Sequence, residues 1–362
     1  MTAIRIGVVG CGRIAQVMHL PFLGELPEFE LVGLSDISPE VLGELATRYR
    51  GATTHLDYRD LLARDDVDAV AVTTPDHAVI AAEAARAGKH VFVEKPLCFT
   101  PAEGRAIAAA VEGSGVRLMV GYMRRYDPAL GALLAGLGER GPIRLVRALD
   151  TLGLRSVPTD IYTLAQPPAG SRGRVSDREP LNERLAEGAG SDDPRRVDLY
   201  WIMLMLGVHD FAVLRAILGE PVEVTGTELL GGRHLATSLR YEGGGRALLE
   251  LGVWPAQTWS DTRVDVVTDT ATETLSFPNP WVRYLPTTLV RREATEAGTR
   301  ETHLPDSYRY AFREEWLEFH AAVVAGREPA TTLAHGLADV ELGAAIVRAI
   351  APEQLDRVSE GA

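Results

Sequence analysis

The chain has 362 residues, 46% hydrophobic and 24% charged, with a formal net charge of −13; that length favours two domains, and that composition is an ordinary soluble globular one. The acidic balance, with no basic block, argues against a nucleic-acid partner, and Cys11 and Cys98 are too few for a disulfide framework and lack metal-ligand spacing, so no metal is expected. No apolar run reads as long enough to span a bilayer and the N-terminal MTAIRIGVVG lacks the features of a signal peptide, so no membrane partner and a cytoplasmic location are expected.

The first element is a short β-branched strand, Ile4 to Val9, running straight into Gly10-Cys11-Gly12-Arg13-Ile14-Ala15. This is the G-x-G-x-x-A form of a dinucleotide fingerprint. Gly10 permits the tight turn, Gly12 lets backbone approach a pyrophosphate, and Ala15 allows a helix to pack closely on the strand. The helix that follows would offer free N–H donors and partial positive charge at its start. A second strand, Phe29 to Leu34, ends in Ser35-Asp36. An acid there accepts hydrogen bonds from a ribose 2′-hydroxyl and repels a 2′-phosphate, which favours NAD over NADP; its alternative role is to cap the next helix.

Asp68 to Pro75 reads as a third, buried strand ending in Thr74-Pro75, followed by an Ala-rich helix from His77 to Ala87 that stops at Gly88. Strand His90 to Val93, the Glu94-Lys95-Pro96 turn, a helix from Ala102 to Glu112 and strand Val116 to Val120 complete a β-α alternation. Such alternation predicts a doubly wound parallel sheet, with ligands at the carboxyl ends of its strands. Gly10, Asp36, Thr74, Pro75 and Lys95 all fall at such ends. The dinucleotide set expected from these readings is Gly10, Gly12, Arg13, Ile14, Ala15, Asp36, Thr74, Pro75, His77 and Lys95.

The chain has two lysines, Lys89 and Lys95, among 37 basic residues. Arginine does not release a proton in a protein, whereas a buried lysine shifts its pKa readily. Scarcity alone reflects codon bias; the position of Lys95 at a strand end, downstream of the fingerprint, is what makes it a candidate acid/base.

The order strand-Gly10-x-Gly12-x-x-Ala15, Thr74-Pro75, Ala87-Gly88-Lys89-His90-Val91 and Glu94-Lys95-Pro96-Leu97 closely resembles the Gfo/Idh/MocA oxidoreductase family. Gly121-Tyr122-Met123-Arg124-Arg125-Tyr126-Asp127-Pro128 is similar to the segment after the next strand in its inositol dehydrogenase branch. The resemblance implies a nicotinamide-dependent dehydrogenase or reductase acting on a sugar, cyclitol or related hydroxy compound. It implies that Lys95 assists proton transfer and that Glu94 supports the cofactor end of the site, and it places Tyr122, Arg124 and Tyr126 on the substrate side. The family's second motif, an Asp four residues before a His on a helix, is incomplete here: His209 is present, but Met205 stands at the Asp position. A thioether neither binds a hydroxyl strongly nor shares a proton. His209 is thus a candidate to polarise the substrate oxygen or act as acid/base, or else a core histidine. Asp210 is a substrate-side candidate, although the next residue along a helix points about 100° away.

From about Pro142 the pattern turns to strands: Ile143 to Leu152, Val222 to Leu230, Ala236 to Tyr241, Ala247 to Trp254 and Arg263 to Thr268. This predicts a second, α+β domain on an open, mostly antiparallel sheet, with the boundary between residues 125 and 126. Two C-terminal helices, Tyr308 to Ala325 and Leu333 to Ala349, close the chain, with room to pack back on the first domain. In the resembling family the sheet carries a subunit interface, which implies a homo-dimer or homo-tetramer; Trp254, Trp259 and Trp281 are candidates for it. Residues 155 to 198, rich in Pro, Gly and charge, read as an irregular insertion: a lid, a binding loop or a solvated loop. Two other functions stay open: redox-neutral sugar chemistry on a retained cofactor, and a cofactor-sensing regulator, which Met205 favours and Lys95 opposes.

Overall fold

The structure, a computed structural model, describes residues 2–158, 161–168, 178–304 and 307–359. By contacts the chain forms two compact units. One comprises Met1–Tyr122, Asp160–Gly188 and Phe312–Val340, the other Met123–Thr159, Ala189–Ala311 and Glu341–Ala362.

The first unit is built on six strands, β1 (Ile4–Val9), β2 (Phe29–Ser35), β3 (Thr53–His55), β4 (Ala69–Val72), β5 (His90–Glu94) and β6 (Leu118–Gly121). Their order is β3-β2-β1-β4-β5-β6, and every pairing is parallel. Helices cover such a sheet on both faces, so its central strands are apolar throughout; all four residues of β4, Ala-Val-Ala-Val, are buried. The helix Pro101–Val111 starts with a reciprocal cap, in which Thr100 accepts from the Glu103 N–H and the Glu103 carboxylate accepts from the Thr100 N–H. The helix Ala311–Ala325 enters this unit from Phe312 onward because its aromatic face is buried against β5. Trp316 stacks on Phe92 at 4.2 Å, and Phe319 meets the same ring edge-on at 5.9 Å.

The second unit carries eight strands, β7 (Ile143–Gly153), β8 (Pro221–Gly231), β9 (His234–Tyr241), β10 (Arg246–Trp254), β11 (Asp261–Thr268), β12 (Ala271–Phe277), β13 (Thr288–Thr295) and β14 (Gly298–His303). Their order is β14-β13-β12-β11-β7-β10-β9-β8, antiparallel except where β10 lies parallel to β7. Along β9 every second residue is buried, so one face supplies the core. Strands β12 to β14 were outside the expected set. β13 and β14 are too polar to signal a core strand, and cross-strand ion pairs such as Arg292–Glu301, 2.5 Å apart, join them.

Two expectations need correction. Residues 155 to 198 are not irregular throughout: Arg178–Ala189 is a helix, and a further helix begins at Pro194. Asp193-Pro194 is a helix start, with Asp193 accepting from the Arg195 N–H at 2.9 Å and proline in the first turn. Parts of this stretch, residues 159–160 and 169–177, lie outside the described residues. The second correction concerns apolar length. The helical stretch Pro194–Leu218 is 25 residues long and apolar enough to cross a membrane by composition; 61% of its apolar window is buried within the fold.

Candidate active site

Register brings three of the expected residues, Asp36, Gly10 and Glu94, into one row with Thr73. Ser35, Val9, Val72 and Val93 are successive cross-strand partners on β2, β1, β4 and β5. The next residue on each strand is therefore Asp36, Gly10, Thr73 and Glu94, side by side at the carboxyl edge. Residues far apart in sequence become one site because the strands are parallel and the order reverses between β1 and β4.

Gly10 has φ +90°, and a Cβ there would lie 2.6 Å from Thr74 Cγ2 and 2.8 Å from the Thr74 backbone N. Only glycine fits. Gly12 differs: a Cβ there would meet no atom of the described residues within 4 Å. Nothing in the packing of the described residues asks for glycine at this exposed position, whereas close approach of a pyrophosphate would. The following helix begins at Arg13 and Ile14, with Ala15 fully buried. It widens over Ala15–His19, where the Leu20 N–H reaches the Ala15 carbonyl. Pro21 explains this, since it has no N–H to bond one turn back and its ring crowds that carbonyl.

Asp36 is held by two backbone donors, the Cys11 N–H at 2.7 Å and the Ser38 N–H at 2.9 Å. Its alternative role as helix cap belongs instead to Ser38, whose Oγ accepts from the Val41 N–H. Thr74 turns back to the Asp76 carbonyl at 2.7 Å, and Pro75 is exposed. His77 is buried just before the helix Ala78–Arg86, and burial lowers it to about 4, so it is neutral at pH 7. A hydrogen bond with the Lys95 backbone acts in the opposite direction. The second lysine, Lys89, is structural: its Nζ donates to the carbonyls of Arg64 at 2.6 Å and Val67 at 2.9 Å.

Glu94 is buried, and His19 Nε2 lies 2.8 Å from its Oε1 while the Lys95 N–H donates to its Oε2 at 3.0 Å. Burial pushes Glu94 upward, but the His19 hydrogen bond and neighbouring positive charge outweigh it and hold the carboxyl below its usual value. Lys95 itself is half-buried, and its peptide bond to Pro96 is cis. Sequence reading missed His19 and Glu315. The latter sits on the buried face with Phe312, Trp316 and Phe319, and neither of its buried oxygens has a hydrogen-bond partner among the described residues. Burial, then the charge of Glu94, raises Glu315 well above its ordinary value of 4.5. A carboxyl raised in the fold costs stability wherever the unfolded chain ionises it, so the penalty is absent below the ordinary value and grows as pH rises toward the folded one. Glu315→Gln should therefore match the parent near about pH 4 and gain at least about 2 °C in Tm at about pH 8, the size of a shift of about 1 kcal/mol. Thermal melts at both pH values check this.

In the second unit Arg124 is turned to structure. Its Nη1 lies 2.7 Å from Asp150 Oδ2 and 3.2 Å from Asp210 Oδ1, all three groups buried. Thr262 Oγ1 donates to Asp150 Oδ1 at 2.9 Å. Burial, followed by the charge of Asp150, raises Asp210 well above the carboxylate range. Tyr126 is half-buried in the turn Met123–Tyr126. His209 is buried at the start of the helix Val208–Leu218, and Met205 is half-buried in the wide turn Met203–Gly207 before it. Tyr122, fully buried, belongs to the first unit. Trp259 is exposed, Trp281 is half-buried, and Trp254 packs edge-on to His234 at 4.8 Å.

Two residues of the insertion that belong to the first unit, Ala165 and Arg184, are tied to the same carboxyl edge. Gln16 exchanges hydrogen bonds with the Ala165 backbone at 2.8 and 2.9 Å and also donates to the Cys11 carbonyl at 2.7 Å. Arg184 grips Asp76 with both terminal nitrogens, at 3.0 and 3.1 Å, and reaches Glu103 at 2.8 Å. Among the described residues no cluster of metal-ligating side chains is found.

Residues 4–122 match the profile of the Gfo/Idh/MocA family, described as oxidoreductase family, NAD-binding Rossmann fold. Residues 4–122 thus resemble the nucleotide-binding domain of that family. The chain is 29% identical over 220 residues to the uncharacterized oxidoreductase YrbE of Bacillus subtilis, a match covering 60% of this chain and 54% of that protein. It is 39% identical over 134 residues to an inositol 2-dehydrogenase of Burkholderia multivorans, covering 36% and 40%. Both matches span little more than half of the relative or less. A 3-ketoreductase from Actinomadura kijaniata, solved with NADP and TDP-benzene, shares the fold with a TM-score of 0.73, covering 96% of this chain and 98% of that one at 24% identity.

Proposed function

We propose that this protein is an NAD-dependent oxidoreductase that moves a hydride between the nicotinamide and a hydroxyl or keto carbon of a sugar, cyclitol or related small molecule. The observation that carries this reading is the row Asp36, Gly10, Thr73, Glu94 at one sheet edge, with Lys95 as the next residue. The inositol 2-dehydrogenase relative supports a cyclitol or sugar as the substrate class.

Gly10, Gly12 and the helix start at Arg13 and Ile14 would hold the pyrophosphate, and Asp36 the ribose. When bound, the nicotinamide supplies or accepts the hydride. The chain's own task is then the proton: Lys95 Nζ takes it from the hydroxyl in oxidation and returns it to the forming alkoxide in reduction. Glu94, held ionised by His19, supports the turn from which Lys95 projects. His209 keeps the second role that the family resemblance gives it at the substrate oxygen. A homo-dimer or homo-tetramer through the open face of the second sheet completes the proposal.

Asp36 sets the choice of dinucleotide, because its fixed carboxylate would face a 2′-phosphate. Titrating NADH and NADPH against the quenching of protein fluorescence should show NADH bound at least about tenfold more tightly, a difference of about 1.4 kcal/mol. Asp36→Ser should narrow that gap. Tighter binding of NADPH by the parent chain would overturn the assignment to NAD.

A further inference from the structure

His19 interrupts an apolar stretch of the first helix, between Val17-Met18 and Leu20, and its side chain is fully buried. Phe92, Phe312 and Trp316 surround the ring edge-on, at 5.4, 5.7 and 5.6 Å between centroids. Burying a polar ring among aromatics is costly unless it is hydrogen-bonded. Here Nε2 lies 2.8 Å from Glu94 Oε1, while Nδ1 has no hydrogen-bond partner among the described residues, and the other oxygen of the same carboxylate takes the Lys95 N–H at 3.0 Å. One carboxylate thus links the helix that begins at the glycine loop to the backbone of the lysine.

We propose that His19 is a positioning residue for Lys95: by fixing Glu94 it fixes the strand end from which the lysine side chain projects, and so sets the lysine and the pyrophosphate loop on one rigid element. The inference rests on the function proposed above for the lysine. It extends that reading because the helix holding the dinucleotide also decides where the proton-transferring amine stands. A displacement of about 1 Å at a reacting group is enough to cost about 100-fold in rate.

Two substitutions separate positioning from packing. His19→Leu fills the aromatic box without a donor. His19→Gln places an amide N–H where the imidazole Nε2 stood. Because the chain has two lysines, labelling lysine with 13C at Cε gives two side-chain signals, assigned with Lys95→Met. His19→Leu should shift or broaden the Lys95 signal while leaving the Lys89 signal in place, and His19→Gln should restore the parental spectrum. In turnover, His19→Leu should lower kcat at least about tenfold with the NADH Kd changed less than about threefold, and His19→Gln should recover most of the loss.

An unmoved Lys95 signal in His19→Leu, with both signals sharp, would overturn the proposal. So would His19→Gln perturbing Lys95 as much as His19→Leu does. If the parent chain binds neither NADH nor NADPH, the proposed function fails, yet the two spectra still decide whether His19 places Lys95.

Discussion

Lys95→Met should lower kcat by about 100- to 10,000-fold, the usual contribution of a positioned acid or base, and leave the NADH Kd within about threefold. Methionine matches the length of the lysine stem and cannot carry the proton. The contacts that hold this corner involve the backbone of Lys95: its N–H on Glu94 at 3.0 Å, and its peptide unit beside His77. The substitution should therefore leave the turn in place while removing the amine. Steady-state rates on an active substrate, with nicotinamide fluorescence to follow binding, check both halves. Loss of NADH affinity equal to the loss of rate would mean that Lys95 binds the dinucleotide rather than moving a proton.

Gly12→Val should reduce NADH affinity at least about 100-fold, or about 2.7 kcal/mol, with Tm changed by no more than about 2 °C. A Cβ at Gly12 meets no atom of the described residues within 4 Å, so their packing has no stake in this glycine. Valine there would occupy space needed by a phosphate at the helix start. Gly10 makes the contrast. At φ +90° and with Thr74 within 2.6 Å of a Cβ, Gly10→Val should also destabilise the protein. Calorimetric titration and thermal melts on the two variants separate a ligand-required glycine from a fold-required one. A large drop in Tm for Gly12→Val would contradict the assignment.

The carboxyl edge of the first sheet was legible because its grammar is local. A strand, a glycine turn and a helix follow one another in β1 and the Arg13 helix, and parallel pairing places every strand end on the same side. Asp36, Thr74 and Lys95 could therefore be assigned to one edge without knowing the strand order. The support beneath that edge was not legible. His19 and Glu94 are 75 residues apart, and His19 ends a wide helical turn ahead of Pro21. Glu315 carried a visible signal, a carboxylate spaced between Phe312 and Phe319 on an apolar helical face, but its neighbour Glu94 lies far away in sequence. In the second unit Arg124 matched a substrate-side segment by resemblance, yet its hydrogen bonds go to Asp150 and Asp210. No spacing rule connects positions 124, 150 and 210; the fold brings them together. Strands β12 to β14 went unseen for a related reason, since strands joined by charge pairs leave no alternating apolar pattern.

The most direct measurement is absorbance at 340 nm, with the chain, NAD or NADH, and a panel of cyclitols, sugars and ketosugars. An oxidoreductase working through Lys95 will change the absorbance with at least one member of the panel, and Lys95→Met will abolish the change while still binding NADH. Tight NADH binding with no change at 340 nm for any member would contradict net hydride transfer to this class of substrate and turn the assignment toward redox-neutral chemistry or cofactor sensing.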